Sequence, residues 1–288
     1  MAKVAVIVPN YQHAPYLSRR IETILSQNFK DFEVLILDDD SKDDSRYIIE
    51  HYRTRSKINI IYNSSNSGSV CAQWEKGIRM TDSEYVWIAE SDDWADPMLL
   101  ETLVRRLDDN LGLALAYAQS WIVNSLSEVI GNAICWTRDL EKKRWDTDFI
   151  AGGRDELRKY MIRKNTIPNA SAVVQRREFV EQCVPLRSDF KLCGDWHHWS
   201  RMLALGGVAF VAEPLNFWRS SSSNVRVRPP GVLEWLEGKE VLELIGGLIN
   251  LSSEELNAAK LAFLEQCWEW LCEYNSSTEQ RSKEVDGA

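Results

Sequence analysis

The sequence predicts an α/β protein with a mostly parallel central sheet flanked by helices and further helices at its C-terminal end. Three observations carry that reading. Between residues 4 and 117, apolar runs of strand length alternate with apolar residues at helical spacing, the pattern of a sheet crossed over and covered by helices. The early runs are apolar at nearly every position, as strands buried on both faces are. Carboxylates collect where the runs end, and ligands gather at the carboxyl edge of parallel sheets.

Residues 4–8 form the first strand, closed by Pro9, and Leu17, Ile21, Ile24 and Leu25 then mark one face of a helix. Residues 34–37 are a second strand ending in Asp38-Asp39-Asp40-Ser41, after which Asp43 to Ser45 offer N-caps for a helix carrying Ile48, Ile49 and Tyr52. A third strand follows at 58–62, a helix over 68–80 and a fourth strand at 85–89. Asp96-Pro97, a cap followed by proline at the first helical position, opens a helix through Leu100, Leu103, Val104 and Leu107. A fifth strand is expected at 113–117. From Gln119 the periodicity weakens: 120–150 reads as loops with a hairpin, 153–163 and 195–205 as helices, and 208–212 as a strand. Beyond Pro229-Pro230 two helices are expected, the second opened by Ser252 with Glu255 as a capping box. Its stripe of Leu256, Ala259, Phe263, Cys267 and Trp270 should pack on the protein's own core, and a polar tail over 276–288 should be disordered.

Composition narrows the function. With 44% hydrophobic residues the 288-residue chain can bury a sizeable core, and its formal net charge of -9 repels phosphate backbones, so a nucleic-acid partner is not expected. The most basic stretch, with Arg219, Arg226 and Arg228, is too small for a duplex but sufficient for a diphosphate. No apolar run approaches the ~20 residues of a spanning helix and no signal-peptide pattern opens the chain, so a soluble, cytoplasmic protein is expected. The six scattered cysteines, without Cys-x-x-Cys pairs, read as reduced thiols used as small hydrophobes.

Three strand ends carry unusual groups: Pro9-Asn10-Tyr11, Asp38-Asp39-Asp40 and Glu90-Ser91-Asp92-Asp93. Two acidic clusters at one sheet edge repel each other unless a cation or hydrogen-bond donors lie between them. Asp40, Asp43 and Asp44 read as simple helix caps, whereas Asp92 and Asp93 do not, because Asp96-Pro97 already caps the next helix.

These motifs together resemble the family 2 glycosyltransferases: Val-Pro-Asn-Tyr at 8–11, Leu-Asp-Asp-Asp-Ser-Lys-Asp at 37–43, Asn66-x-Gly68 with Ala72 and Gly77, and Glu90-Ser91-Asp92-Asp93. Pro168-Asn169-Ala170-Ser171 and Gly194-Asp195-Trp196 resemble that family's acceptor-side and catalytic-base segments. Each motif is weak alone; six in consistent order between residues 3 and 225 are specific. The resemblance implies the fold called GT-A, with a catalytic domain at 1–228 (nucleotide half 1–118, acceptor half 119–228) and a helical extension at 229–275.

It also implies roles. Asp39 accepts from the N3–H of a uracil or thymine, a task suited to a pure acceptor, while Asp38 either joins it in the nucleotide site or only orients its neighbour, Tyr11 lies against the base and Pro9 holds the strand end open. Asn66 belongs to the same nucleotide site. Asp92 takes the ribose and Asp93 a divalent ion, Mg²⁺ or Mn²⁺, that neutralises the leaving nucleoside diphosphate; Glu90 stands for the usual first acid of the motif. Asp195 is the general base, and one base with a direct displacement implies inversion at the anomeric carbon. The partners implied are a nucleotide-sugar donor, UDP- or dTDP-linked, and a hydroxyl of a glycan or lipid-linked acceptor, the latter compatible with peripheral membrane association. His197 and His198 diverge on a helix and should not share a metal, and Trp196 and Trp199 should be core rather than sugar platforms.

The chain departs from the family where a histidine often follows the Tyr/Trp-Arg pair: Trp218-Arg219 is followed by a serine run, leaving Arg219 and Arg226 to share the phosphate charge. Glu141-x-x-Arg144-Trp145 imitates a signature of processive synthases but precedes Asp195, and reads as coincidence. A sugar nucleotidylyltransferase would need a glycine-rich basic loop after the first strand, which Pro9-Asn10-Tyr11-Gln12-His13 does not offer; a silent nucleotide-sugar-binding scaffold would need neither Asp93 nor Asp195.

Overall fold

The computed structural model describes residues 1–220 and 231–286, with side chains through Cys272. Strands β1 (Val4–Asn10), β2 (Phe32–Asp38), β3 (Ile58–Tyr62) and β4 (Tyr85–Ile88) alternate with helices α1 (Ala14–Leu25), α2 (Ser45–His51) and α3 (Val70–Arg79). The two-residue β5 (Trp94–Ala95) precedes α4 (Leu99–Asp108), β6 (Leu113–Val123), β7 (Val129–Asn132) and β8 (Phe149–Ala151). There follow α5 (Gly153–Glu156), β9 (Val173–Arg176), α6 (Arg177–Gln182), α7 (Gly194–Leu205), β10 (Gly207–Arg219), α8 (Val232–Leu248) and α9 (Ser253–Asp286).

The sheet order is β3-β2-β1-β4-β9-β6-β10-β5, with β7 paired to β6 and β8 to β10. Its first four strands are parallel, and alternate residues of β1 face opposite cores: Val4, Val6 and Val8 pack with α1, α2 and α4, Ile7 with the α3 and α7 side. That explains the unbroken apolar runs. Gly77 lets α3 lie flat on β1, since a Cβ there would overlap the side chain of Ile7.

The second half of the sheet differs from expectation. The fifth strand does not extend the parallel set; β9 inserts antiparallel between β4 and β6. Insertion of a four-residue strand from far along the chain leaves no periodic trace, so sequence pattern cannot show it. β10, expected over 208–212, continues to Arg219 through irregularities around Pro214, where the missing N–H interrupts the ladder without ending the strand. The expected helix at 153–163 is α5 continued by a π-helical turn at Leu157–Met161. β6 and β7 are the hairpin expected between 120 and 150.

The C-terminal helices belong to the main core. Val241, Leu242 and Ile245 of α8 and Phe263 and Cys267 of α9 are buried with Trp196 and Trp199 of α7, and Leu256 and Ala259 pack against them. The Ser252–Glu255 capping box forms as the sequence indicates. α9 runs to Asp286 where disorder was expected from 276; Glu279, Gln280, Arg281, Lys283 and Glu284 favour helix, and neither glycine nor proline occurs between 248 and 286. Cys71, Cys183, Cys193 and Cys267 are buried as small hydrophobes.

Candidate active site

The parallel register aligns Asn10, Asp38 and Tyr62 at one edge. Asp38 is fully buried and accepts from Asn10 Nδ2 (2.9 Å), Ser41 N (3.1 Å) and Arg46 Nε (3.2 Å), so it braces the β1–β2 edge rather than facing a ligand. Asp40 follows in the left-handed region and pairs with Lys42 and Arg46. The neighbouring carboxylate, Asp39, accepts from Asn63 Nδ2, Gln73 Nε2 (2.9 Å) and both the N–H and the hydroxyl of Ser67. Asn66 donates to the Asp39 carbonyl and accepts from Gly68 N, a turn that Gly68 makes at φ +66. Pro9 is buried within β1, and Tyr11, beyond the strand end, is 43% exposed.

The second acidic cluster follows β4. Asp93 is 2% exposed, and its two oxygens accept from Asn169 Nδ2 and Arg219 N, each at 2.8 Å. Asp92 accepts only from its own backbone N–H among the described residues and is partly exposed. The two carboxylates thus differ in their surroundings. Asp93, expected to hold the metal, is enclosed by two donors, while Asp92 is the carboxylate left open. Glu90 accepts from Trp74 Nε1 at 2.7 Å, and burial, followed by the charge of Asp92, pushes its carboxyl up to about 8. Burial likewise raises Asp92 and Asp93 above the usual carboxylate range.

A cation lies beneath this cluster. Arg20 of α1 is fully buried over the Trp87 ring at 4.8 Å, none of its guanidinium nitrogens has a hydrogen-bond partner, and burial lowers it to about 10. The charges of Asp93, Glu90 and Asp92 act against that lowering, so Arg20 offsets their repulsion. The guanidinium of Arg219, expected on the diphosphate, donates to Asp92 O (2.8 Å), Asn124 O (2.6 Å) and Ser127 Oγ (2.9 Å) and stacks on Tyr16 at 3.9 Å. It pins the motif's backbone to the β6–β7 hairpin. Arg226 and Arg228 lie outside the described residues.

Asp195 stands in the first turn of α7; its Oδ2 accepts from Asn165 Nδ2 at 3.2 Å and its Oδ1 from Trp196 N at 2.7 Å. Residues 165–169 thus join the two acids, Asn165 on Asp195 and Asn169 on Asp93. Trp196 and Trp199 are buried core, as expected. The adjacent histidines diverge: His197 meets Phe190 edge-on, while His198 is buried against Gln175 at 2.7 Å. Glu141, Arg144 and Trp145 are also structural, bonded to Tyr160, Glu156 and Tyr117 respectively.

Sequence reasoning missed Asn10, Ser67, Gln73, Asn165, Asn169 as an Asp93 partner, and Arg20. Arg20 had a legible signal, since it falls on the apolar face of α1 with Leu17, Ile21 and Ile24. Asn10 and Asn169 lay in motifs already singled out, though not in these roles; Ser67, Gln73 and Asn165 had no signal, because their partners lie far away in sequence.

With this geometry in place, similarity to known proteins is informative. Residues 5–154 match Glycosyl transferase family 2, and the chain belongs to that family. It is 36% identical over 237 residues to an uncharacterized glycosyltransferase of Nostoc sp., covering 77% of this chain and 66% of that protein. It is 29% identical to Escherichia coli chondroitin synthase over 46% of this chain, but spans 19% of that enzyme. The crystal structure of Staphylococcus aureus TarS 1–349 in complex with UDP-GlcNAc superposes with a TM-score of 0.69 at 17% identity, over 91% of this chain and 71% of that one. The fold is the GT-A fold expected from the sequence. No helix among the described residues is long and apolar enough to cross a membrane.

Proposed function

We propose that this protein is an inverting, metal-dependent glycosyltransferase that moves a sugar from a uridine or thymidine diphosphate donor to a hydroxyl of a glycan or lipid-linked acceptor. One observation carries this reading: Asp39, Asp92 and Asp195 come to one sheet edge from three distant segments, Asp92 tied to Asp195 through Asp93 and the Asn165–Asn169 segment. The donor base takes its place at Asp39, where its N3–H replaces one Ser67 contact on the exposed 64–68 loop, with Tyr11 against its face. Asp92 is the residue that would hold Mg²⁺ or Mn²⁺, its half-buried carboxylate, bonded only to its own backbone N–H among the described residues, being a hard oxygen donor; when bound, such an ion would neutralise the leaving diphosphate. Asp93 and Arg20 keep that carboxylate in place and partly compensated. Asp195 takes the proton of the acceptor hydroxyl as its oxygen attacks the anomeric carbon, and a single displacement inverts configuration. The UDP-GlcNAc held by the TarS neighbour supports a uridine donor here.

The test is thermal unfolding with Mn²⁺ and each nucleoside diphosphate. At ~100 times its dissociation constant, uridine diphosphate should add about 2.7 kcal/mol to native stability. Equal stabilisation by guanosine diphosphate would sink the pyrimidine assignment.

A further inference from the structure

The segment that brings Asp195 into the site is gripped from behind. Lys191, Leu192 and Cys193 present three successive backbone N–H groups to one carboxylate, Glu237 of α8, at 2.8, 2.8 and 2.9 Å. Glu237 is 5% exposed, and the N-cap residue Cys193 supplies no side-chain cap of its own. Helix starts leave N–H groups without partners, and a local Ser or Asp usually serves them. Here a residue from the C-terminal helices does so, two positions before Asp195.

The same segment is held from the front. Lys191 Nζ donates to Gly68 O at 2.7 Å, in the loop whose Ser67 bonds Asp39. A Cβ on Gly194 would overlap Cys71 Sγ at the start of α3, so α7 begins in direct contact with the donor-side helix. The start of α7 therefore has little freedom while Glu237 is in place. Without it, the buried N–H of Cys193 loses its acceptor and the partly buried N–H groups of Lys191 and Leu192 lose theirs, which loosens the backbone next to Asp195.

We propose that Glu237 is a positioning residue for sugar transfer: its carboxylate fixes the start of α7 so that the Asp195 carboxylate stands at the reacting hydroxyl. The C-terminal helices are then part of the catalytic machinery. This rests on the reading of Asp195 as the base. A general base works within hydrogen-bond reach of its proton, and a shift of about 1 Å costs on the order of a hundredfold in rate. Glu237 touches no substrate and acts through Asp195.

The experiment compares the full chain with Glu237→Gln, Glu237→Ala, Asp195→Asn and the double variant Asp195→Asn/Glu237→Gln. The probes are UDP-N-acetylglucosamine hydrolysis with Mn²⁺, uridine diphosphate affinity by calorimetry, and amide exchange at residues 191–196. Glu237→Gln keeps the shape and one acceptor oxygen, so it guards against a variant that fails to fold. The expected result is faster exchange confined to 191–196, unchanged uridine diphosphate affinity, and a rate at saturating donor lower by ~10- to 100-fold. The double variant should be no slower than Asp195→Asn alone, since both changes remove one function. Normal exchange or a normal rate in both Glu237 variants, or multiplied effects in the double variant, overturns the proposal. If Asp195→Asn is inactive while the Glu237 variants are normal, only this proposal falls; if Asp195→Asn is active, the base assignment falls with it.

Discussion

The two halves of the sheet bring polar groups to the same edge by different means. In β3-β2-β1-β4, consecutive parallel strands end side by side, so Asn10 and Asp38 meet through backbone register. Around β9, β6 and β10, by contrast, Asp93, Asn169, Asn165, Asp195 and Arg219 are assembled by hydrogen bonds between distant segments. A register-built site needs few particular side chains to hold it. A site built from buried polar groups depends on every member having its partner, because an orphaned donor or acceptor in the interior is costly.

The largest expected effect tests whether the halves separate functionally. Asp195→Asn should leave uridine diphosphate affinity unchanged and lower the rate at saturating donor by ~10²- to 10⁴-fold. A parallel loss of nucleotide affinity in calorimetry would show that the halves act as one unit.

Overpacking gives the next contrast. In Gly153→Ala the new Cβ meets the backbone carbonyls of Leu203 and Gly206, whereas in Gly77→Ala it meets the side chain of Ile7. Both should destabilise in urea unfolding, by about 1–3 kcal/mol or more, with Gly153→Ala the worse because backbone cannot swing aside. The opposite order would mean that the register-built half is the less forgiving.

Within the acidic motif the contrast narrows to neighbours. Asp93→Asn turns an amide N–H toward the donors Asn169 Nδ2 or Arg219 N and should cost about 1–3 kcal/mol of stability. Asp92→Asn should cost no stability but weaken Mn²⁺-dependent binding of uridine diphosphate. Intact metal-dependent binding in Asp92→Asn, together with its loss in folded Asp93→Asn, would restore Asp93 as the metal residue.

The smallest effect concerns pH. Burial pushes His198 down to about 3 from an ordinary 6.5. Between those values the unfolded chain binds a proton that the folded chain refuses, so this contribution to stability is complete above 6.5 and shrinks as pH falls. The slope is up to about 1.4 kcal/mol per pH unit. His198→Gln, which can still bond Gln175, should remove that part of the slope between pH 6 and 5. An unchanged slope in denaturant titrations would show that the imidazole is not buried in neutral form.

Much of the β3-β2-β1-β4 half was legible. The strands at 4–8, 34–37, 58–62 and 85–89 lie where periodicity puts them, because a strand buried on both faces announces itself locally. Asp38, Asp39 and the Glu90–Asp93 motif lie at strand ends for the same reason. The second half was less legible: β9 is short and pairs with strands far away in sequence, and the residues bonding Asp93 and Asp195 are amides that look like ordinary loop residues.

By itself, then, the sequence determined the class of sheet, the edge at which the acids collect, the family and the capping box at Ser252, since each depends on residues near one another along the chain. The tertiary structure alone decided that Asp92 rather than Asp93 stays open and that Arg219 braces the motif through Asn124 and Ser127. It also decided that Arg20 lies under the acids and that Glu237 grips the start of α7. Burial and the choice of hydrogen-bond partner arise between segments that meet only when the chain folds, and an isolated Asp carries no mark of which partner it will find.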